Sequence, residues 1–494
     1  MAGDPLYLSI DQGGHATRAV VFDGGGRAVA RAEVPVGETR PTSDRVEQDP
    51  REMAASVGRV LVEASAALGR CAADVRAAGL ATQRSSVVCW DAVTGESLSP
   101  ILSWQDRRAA AWLASFAPHA RAVREATGLV LSPHYGASKM RWCLDHLDPV
   151  KQARREGRLR IGPLSSFLVA SVATGRPTLA DPANASRTLL WNLRAVDWDA
   201  DLCWRFGVPR EVLPHCVPTR HAYGGIPWGA GTLPLTVVTG DQSAAVFAWG
   251  VPRADAAYVN LGTGAFLQRI VPEPSMSEDG LLRGVVAIDA GRATYTLEGT
   301  VNGAGSALRW AAESLGIPQI EKRLPAWMEK DRDVPLFLNG VSGLGAPFWV
   351  ADFPSRFVGD GAAAAKAVAV AESVVFLLAE NLEGMRTLPD PLHHLVVTGG
   401  LSALDGICQR LADVTHLEVR RPPEREATAR GLAFLTAGRP PVGRALCPPG
   451  DEPRATHWAE WQSPEPEVFR PRPGAPVAGR YAEWRRKMQV ALGR

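Results

Sequence analysis

Hydrophobic residues alternate from the first positions of the chain. Leu6, Leu8 and Ile10 share one side of an extended segment that runs directly into Asp11. Arg18-Ala-Val-Val-Phe-Asp23 predicts a second strand, Gly24-Gly25-Gly26 a hairpin turn, and Ala28-Val29-Ala30 the returning strand. The period then changes: Met53, Val57, Val60, Leu61 and Ala64 fall on one face of a helix predicted over 51–68. Short β-branched runs at Ser86-Val-Val-Cys-Trp90 and Leu395-Val-Val-Thr398 predict further strands, the second ending in Gly399-Gly400. Leu235, Val237 and Val238 lead into Thr239-Gly240-Asp241-Gln242 much as the first strand leads into Ile10-Asp11-Gln12-Gly13. The opening hairpin recurs around Val259-Asn-Leu-Gly262-Thr263-Gly264-Ala-Phe266-Leu267, which points to an internal duplication. Strands alternating with helices predict an α/β architecture.

At 494 residues the chain exceeds a single core and suits two large domains, with a boundary near 243–256. We divide it into 1–246, 247–440 and a tail, 441–494. In the tail, Pro448, Pro449, Pro453, Pro464, Pro466, Pro471, Pro473 and Pro476 exclude a continuous helix until helical spacing returns over 480–492.

Composition narrows the function classes. Lys plus Arg at 54 against Asp plus Glu at 52 leaves a net charge of +2, which argues for no nucleic acid and no anionic membrane as partner. Arg485-Arg486-Lys487 reads as a solvated helix face. Seven scattered cysteines, none in a Cys-x-x-Cys pair, fit reduced thiols in a cytoplasmic protein better than disulfides or zinc ligands. The start of the chain lacks the basic and apolar regions of a signal peptide, and no apolar stretch approaches the roughly 20 residues of a membrane helix. P-loop, dinucleotide-fold and serine-hydrolase signatures are absent from the sequence.

The repeated acidic signature is the candidate chemistry. A carboxylate where a strand meets a turn can face a ligand. Two of them, Asp11 and Asp241, suit a reaction that holds a magnesium–nucleotide and takes a proton from an attacking hydroxyl, as in phosphoryl transfer. A bland alternative for Asp241 is the cap of a helix beginning at Ser243.

These segments resemble the FGGY family of carbohydrate kinases, and within it the glycerol kinases. The matching stretches are Val46-Glu-Gln-Asp-Pro50, Gly79-Leu-Ala-Thr-Gln-Arg84, Trp104-Gln-Asp-Arg-Arg108, Asn184-Ala-Ser-Arg187, Gly240-Asp-Gln242, Gly262-Thr-Gly264 and Ser342-Gly-Leu-Gly-Ala-Pro347, in family order. The resemblance implies two ribonuclease-H-like domains of the actin-like ATPase superfamily. Residues 1–246 would hold substrate and catalytic base, and 247–440 would hold ATP, with the active site in the cleft between them. It implies Asp241 as general base, Asp11 and Asp241 as ligands for Mg2+, and ATP as the phosphoryl donor.

On the acceptor side the resemblance implies Arg84, Trp104, Asp241, Gln242 and Phe266 as substrate contacts for a small polyol or sugar. Ser85 stands where the family has Glu, and His134, followed by Tyr135, where it has Tyr. The shorter Ser85 makes room for a longer acceptor or weakens glycerol binding. Taken alone, Trp104 reads as core packing and His134 as a hydrogen-bonded structural residue. On the nucleotide side the family's hydroxyl residues are replaced by Gly13-Gly14-His15-Ala16, where Gly14 allows close approach of phosphate and His15 or Arg18 supplies positive charge. Gly262, Thr263 and Gly305 lie in small-residue turns that match phosphate contacts, although a simple hairpin turn also accounts for Gly262 and Gly264. Gly399, Gly400 and Asp405 match the purine and ribose end. Leu404 replaces an amide there, which predicts loosened adenine specificity.

The activity implied is ATP-dependent phosphorylation of glycerol or a related polyol or sugar. The alternatives are a kinase for a pentulose or other sugar, and a catalytically weak nucleotide-binding regulator on the same fold. The chain is compatible with a homo-oligomer.

Overall fold

The computed structural model describes residues 5–274, 280–330, 333–388, 390–424, 426–438, 461 and 464–493. Cys447, Pro448, Pro449 and Pro453 lie outside them.

The expected opening hairpin forms the heart of a six-stranded sheet. Leu6–Gln12 pairs antiparallel with Ala16–Asp23, which pairs antiparallel with Ala28–Pro35. The turn between the last two is closed by the Asp23 carboxylate, which accepts from the Gly25 and Arg27 amides. On its other side Leu6–Gln12 runs parallel to Val75–Thr82, which runs parallel to Gly231–Gly240. Thr82 therefore lies beside Gln12 on one side and Gly240 on the other. Three parallel strands end together, and their ends deliver Asp11, Arg84 and Asp241 to one edge.

The second sheet repeats this plan. Ala256–Leu261 and Ala265–Val271 form its hairpin, Arg292–Val301 follows, and His394–Thr398 and Glu418–Arg421 are the parallel strands. The turn Gly262-Thr263-Gly264 thus occupies the place that Gly13-Gly14-His15 holds in the first sheet. The repeat of topology is the physical form of the duplicated hairpin pattern.

Helices cover the sheets where their apolar faces predict. Pro50–Leu68 begins with Asp49, whose side chain accepts from the Arg51 amide, and buries Met53, Val57, Val60, Leu61 and Ala64 against the first sheet. In the second half, Ala363–Arg386 is apolar on nearly every side because the second core surrounds it. The tail closes with Pro476–Ala491, whose Trp484 and Met488 are buried in that core. Helix 241–245 begins at Asp241 itself, preceded by Gly240, so the expected start at Ser243 is corrected: Asp241 opens the helix and its carboxylate accepts from the Gln242 amide. No helix among the described residues is long and apolar enough to cross a membrane.

One helix ties the two halves. Ala427–Thr436 follows the last parallel strand of the second sheet yet packs on the first. Ser9 donates to the Ala429 carbonyl at 2.7 Å, the Thr428 hydroxyl approaches the Asp241 carbonyl at 3.4 Å, and Leu432 and Leu435 join Ala81, Val237 and Phe247 in one apolar cluster. Gly431 permits the approach, since a Cβ there would overlap the Ala244 carbonyl. Gly431→Ala is expected to destabilise the protein by about 1–3 kcal/mol through overpacking. In contrast, Gly58→Ala, with open space on an exposed helix, is expected to be neutral or stabilising by up to about 1 kcal/mol. Urea unfolding of both variants measures the difference.

Candidate active site

Asp11, on its strand, and Asp241, just past the end of Gly231–Gly240, lie on either side of Val75–Thr82, so their backbones are separated by about two strand spacings, roughly 10 Å. Asp11 is buried, and its pKa is pushed up to about 7 by that burial first and by the nearby charge of Asp241 second, with Arg18 acting in the opposite sense. Burial also raises Asp241 above the ordinary carboxylate range, against the pull of Arg84. Yet 27% of its side chain is open to solvent, so a ligand can reach it. Two hard oxygen donors whose ionised forms are destabilised by burial and mutual repulsion fit a small divalent cation, which relieves both effects. Glu426, at the start of the bridging helix, adds to the negative potential on Asp11.

Arg84 lies between the two halves of the cleft. Its Nε is 3.9 Å from Asp241, while Nη1 and Nη2 donate to the two oxygens of Glu298 at 3.3 and 3.4 Å. Glu298 belongs to the second sheet. It also accepts from Arg187 and, at 3.3 Å, from Gln268. Burial alone would raise the Glu298 carboxyl, but the two guanidinium groups outweigh it and hold it below the ordinary range. Gly240 makes room for this arrangement, because a Cβ would overlap the Arg84 methylenes.

The remaining acceptor candidates, Ser85, Trp104 and His134, lie near one another. Trp104 is 39% exposed, which removes core packing as its role. Its carbonyl contacts His134 Nδ1 at 3.0 Å, and the two rings lie 6.4 Å apart, centre to centre. Burial lowers the His134 pKa below the usual histidine value, favouring the neutral ring. Ser85 adopts φ +66°, an uncommon left-handed conformation for serine. Phe266 and Gln242 line a narrow crevice between the first helix turn and the second sheet, where Asn260 approaches the Gln242 side chain at 3.5 Å.

The nucleotide candidates fall into two groups. Gly13 and Gly14 form the first turn, held by the Gly13 amide to the Ala16 carbonyl at 2.9 Å and by the Gln48 side chain to the Gly14 carbonyl at 2.8 Å. His15 is exposed at the tip of this turn, whereas Arg18 is ion-paired to Glu33 at 2.7 Å. In the second half, Gly262 and Thr263 are exposed, and their carbonyls accept from the Gly305 and Ala304 amides. Gly399, at φ +90°, passes the end of strand Ala256–Leu261. A cavity of about 180 Å3 opens beside it, lined by Thr398, Gly399, Ser402, Ala403, Arg421 and Glu424. Gly400 begins the short turn above it, and Asp405 reaches it only through Arg421, with which it pairs at 2.7 Å. Leu404 points into the second core, so Ser402 and Ala403 face the cavity in its stead.

Residues 6–248 match the N-terminal domain of the FGGY family of carbohydrate kinases, and residues 257–438 match its C-terminal domain. The chain belongs to the FGGY family of carbohydrate kinases. It is 34% identical to a glycerol kinase of Alkalilimnicola ehrlichii over 98% of both chains, and 36% identical to one of Trichlorobacter lovleyi over 87% of this chain and 89% of the relative. The fold is that of a glycerol kinase from Plasmodium falciparum crystallised with ADP, at a TM-score of 0.85 and 22% identity over 99% of this chain and 98% of that one. This FGGY chain therefore has the two ribonuclease-H-like domains of the family and its enzyme class, a phosphotransferase with an alcohol acceptor.

Sequence reasoning overlooked Glu298, Gln268 and Lys139 and passed over Arg187 as part of a motif. Glu298 had a legible signal: it is the one carboxylate in the strand Arg292–Val301, set in the run Tyr295-Thr-Leu-Glu-Gly-Thr-Val301. Glu298→Gln removes the carboxylate that two buried guanidinium groups share, leaving Asp241, 3.9 Å from Arg84, as the nearby counter-charge. It is expected to cost about 3–5 kcal/mol at neutral pH, read by urea unfolding. Because the folded pKa is depressed, this contribution is present above the ordinary carboxylate pKa and fades as pH falls through the lower folded value. The wild type and Glu298→Gln should therefore converge in stability in acid.

Proposed function

We propose that this FGGY kinase transfers the terminal phosphoryl group of ATP to a hydroxyl of glycerol or a related small polyol or sugar, with Asp241 as general base. The observation that carries the proposal is Asp241 itself: a carboxylate at the end of a parallel strand, raised by burial, open to a ligand and beside Arg84. A base whose pKa is shifted upward accepts the acceptor proton more readily in the transition state. As the acceptor oxygen bonds to phosphorus and the bridging oxygen leaves with ADP, the proton passes to Asp241. Arg84, fixed by Glu298, orients the hydroxyls, and Gln242 and Phe266 face the acceptor from the cleft.

In this reading residues 1–246 carry the acceptor and the base, and 247–440 carry the nucleotide. Gly13, Gly14, His15, Gly262, Thr263 and Gly305 surround the phosphates, and Gly399 and Gly400 border the purine cavity. Arg18 and Asp405, already engaged with Glu33 and Arg421, contribute through the local field. Asp11 and Asp241 would hold Mg2+. Held there, the ion would supply positive charge to offset the negative charge that develops during phosphoryl transfer.

Asp241→Asn is expected to lower kcat by about 100-fold or more while leaving nucleotide affinity within a small factor. Magnesium-dependent ADP release over a panel of polyols, ketoses and aldoses measures this. Unchanged turnover removes Asp241 from the mechanism. Bound ATP with no acceptor turned over by the wild type replaces the kinase reading by that of a nucleotide-binding regulator. Ser85→Glu, which restores a carboxylate beside Arg84, is expected to raise kcat/KM for glycerol relative to longer polyols. An unchanged ratio shows that Ser85 does not set acceptor length.

A further inference from the structure

Lys139 is the one charged side chain on the buried stretch Gly136–Met140 of helix Gly136–His146, and it is fully enclosed. An ammonium has three donors, and all are used. Nζ donates to the Ser85 carbonyl at 2.8 Å, to the Ser103 carbonyl at 2.9 Å and to the His134 carbonyl at 2.8 Å. Those three oxygens come from separate segments of the chain. Each segment carries an acceptor-side residue: Arg84 and Ser85 on the first, Trp104 on the second, His134 and Tyr135 on the third.

Beyond the strand pairing of Val87 with Leu102, the links between these segments are few. The Trp104 amide donates to the Ser86 hydroxyl at 3.0 Å, and its carbonyl meets His134. Ser85 holds a left-handed backbone whose carbonyl direction is set by that conformation, and Lys139 is the group that receives it. Enclosing an ammonium is unfavourable, and an apolar side chain of the same length would pack the helix as well. What an apolar side chain could not do is satisfy three converging carbonyls. The main favourable charge, Asp106, is committed to Arg108 and to the Val46 amide and offsets only part of the burial that brings the Lys139 pKa down to about 7, so the charged form relies on the three carbonyls.

We propose that Lys139 is a positioning residue for acceptor selectivity: its ammonium clamps the three backbone segments that form the acceptor wall of the cleft. The proposal rests on the assignment of that wall to the acceptor under the function proposed above. Lys139 touches no reacting atom. Its effect is on where Ser85, Trp104 and His134 stand, and so on which acceptors are bound well.

The test compares Lys139→Met, of similar length and without charge, with Lys139→Gln, which keeps two donors on its amide. In Lys139→Met the acceptor KM is expected to rise about tenfold or more, with the nucleotide KM changed less than about twofold. The spread of kcat/KM across the acceptor panel is expected to narrow. Lys139→Gln should fall between it and the wild type. Amide hydrogen exchange, followed without acceptor or nucleotide, should accelerate at 84–86, 102–105 and 132–136 and remain as in the wild type at 394–400. Unchanged exchange in the three segments, uniform acceleration along the chain, or an equal rise in both KM values overturns the proposal. So does the failure of both variants to accumulate as folded protein, since the lysine would then be a folding determinant. Exchange is read independently of turnover. A wild type that phosphorylates no acceptor would sink the kinase reading, while the exchange pattern would still decide whether the clamp exists.

Discussion

A single carboxylate on the second sheet, Glu298, is shared by two guanidinium groups from the first half of the chain. All three side chains are nearly inaccessible to solvent, so none can exchange its partner for water. The geometry of the cleft follows from this constraint. For Arg84 and Arg187 to reach Glu298, strand Arg292–Val301 must lie opposite the ends of the first sheet's parallel strands. Once it does, the remaining Arg84 nitrogen faces Asp241 at 3.9 Å. The ion cluster thereby couples the placement of the two sheets to the orientation of the group beside the proposed base.

The bridging helix Ala427–Thr436 imposes a second coupling from the opposite side. It emerges from the second sheet and packs on the first through small residues and a shared apolar cluster. Its first turn places Glu426 where its charge reaches Asp11 and Arg18, and sets Thr428 against the backbone of Asp241. Any relative motion of the two halves must therefore either shear this helix across Ala81 and Val237 or pivot about it. In both cases the acidic pair feels the motion directly.

The sheet hairpins, the helix over 51–68 and both acidic turns were legible because each rests on a local signal: period, a turn sequence, or an apolar run ending in a carboxylate. Asp11, Arg84 and Asp241 share one edge because their strands are parallel neighbours, a fact that follows from topology once the α/β pattern is read. Glu298 and Lys139 were harder to see. Each is a charge on a buried stretch of its element, which in sequence looks like a solvent-facing position, and its meaning lies mainly in partners distant in sequence, Ser85 and Ser103 for Lys139, Arg84 and Arg187 for Glu298. Leu404, read as unable to supply an amide at the purine end, packs in the second core after the short turn Gly400–Ala403.

Charge accounting within the cleft bears on the proposed acceptor. Arg84 and Arg187 stand against Asp241 and Glu298, two cations and two anions of which Asp241 is the most open to solvent. A neutral polyhydroxy acceptor preserves that balance when it binds, since its hydroxyls can both donate to Asp241 and accept from Arg84. A charged acceptor would bring an ion without a counter-ion into a buried site, which costs several kcal/mol unless a partner is supplied. A further carboxylate at position 85, as the family resemblance provides, would itself require compensation by substrate hydroxyl donors. With Ser85 the cluster is balanced before the acceptor arrives. Under the proposed function, acceptor choice would then fall to the shape of the wall formed by Ser85, Trp104 and His134 in place of a charge at its floor.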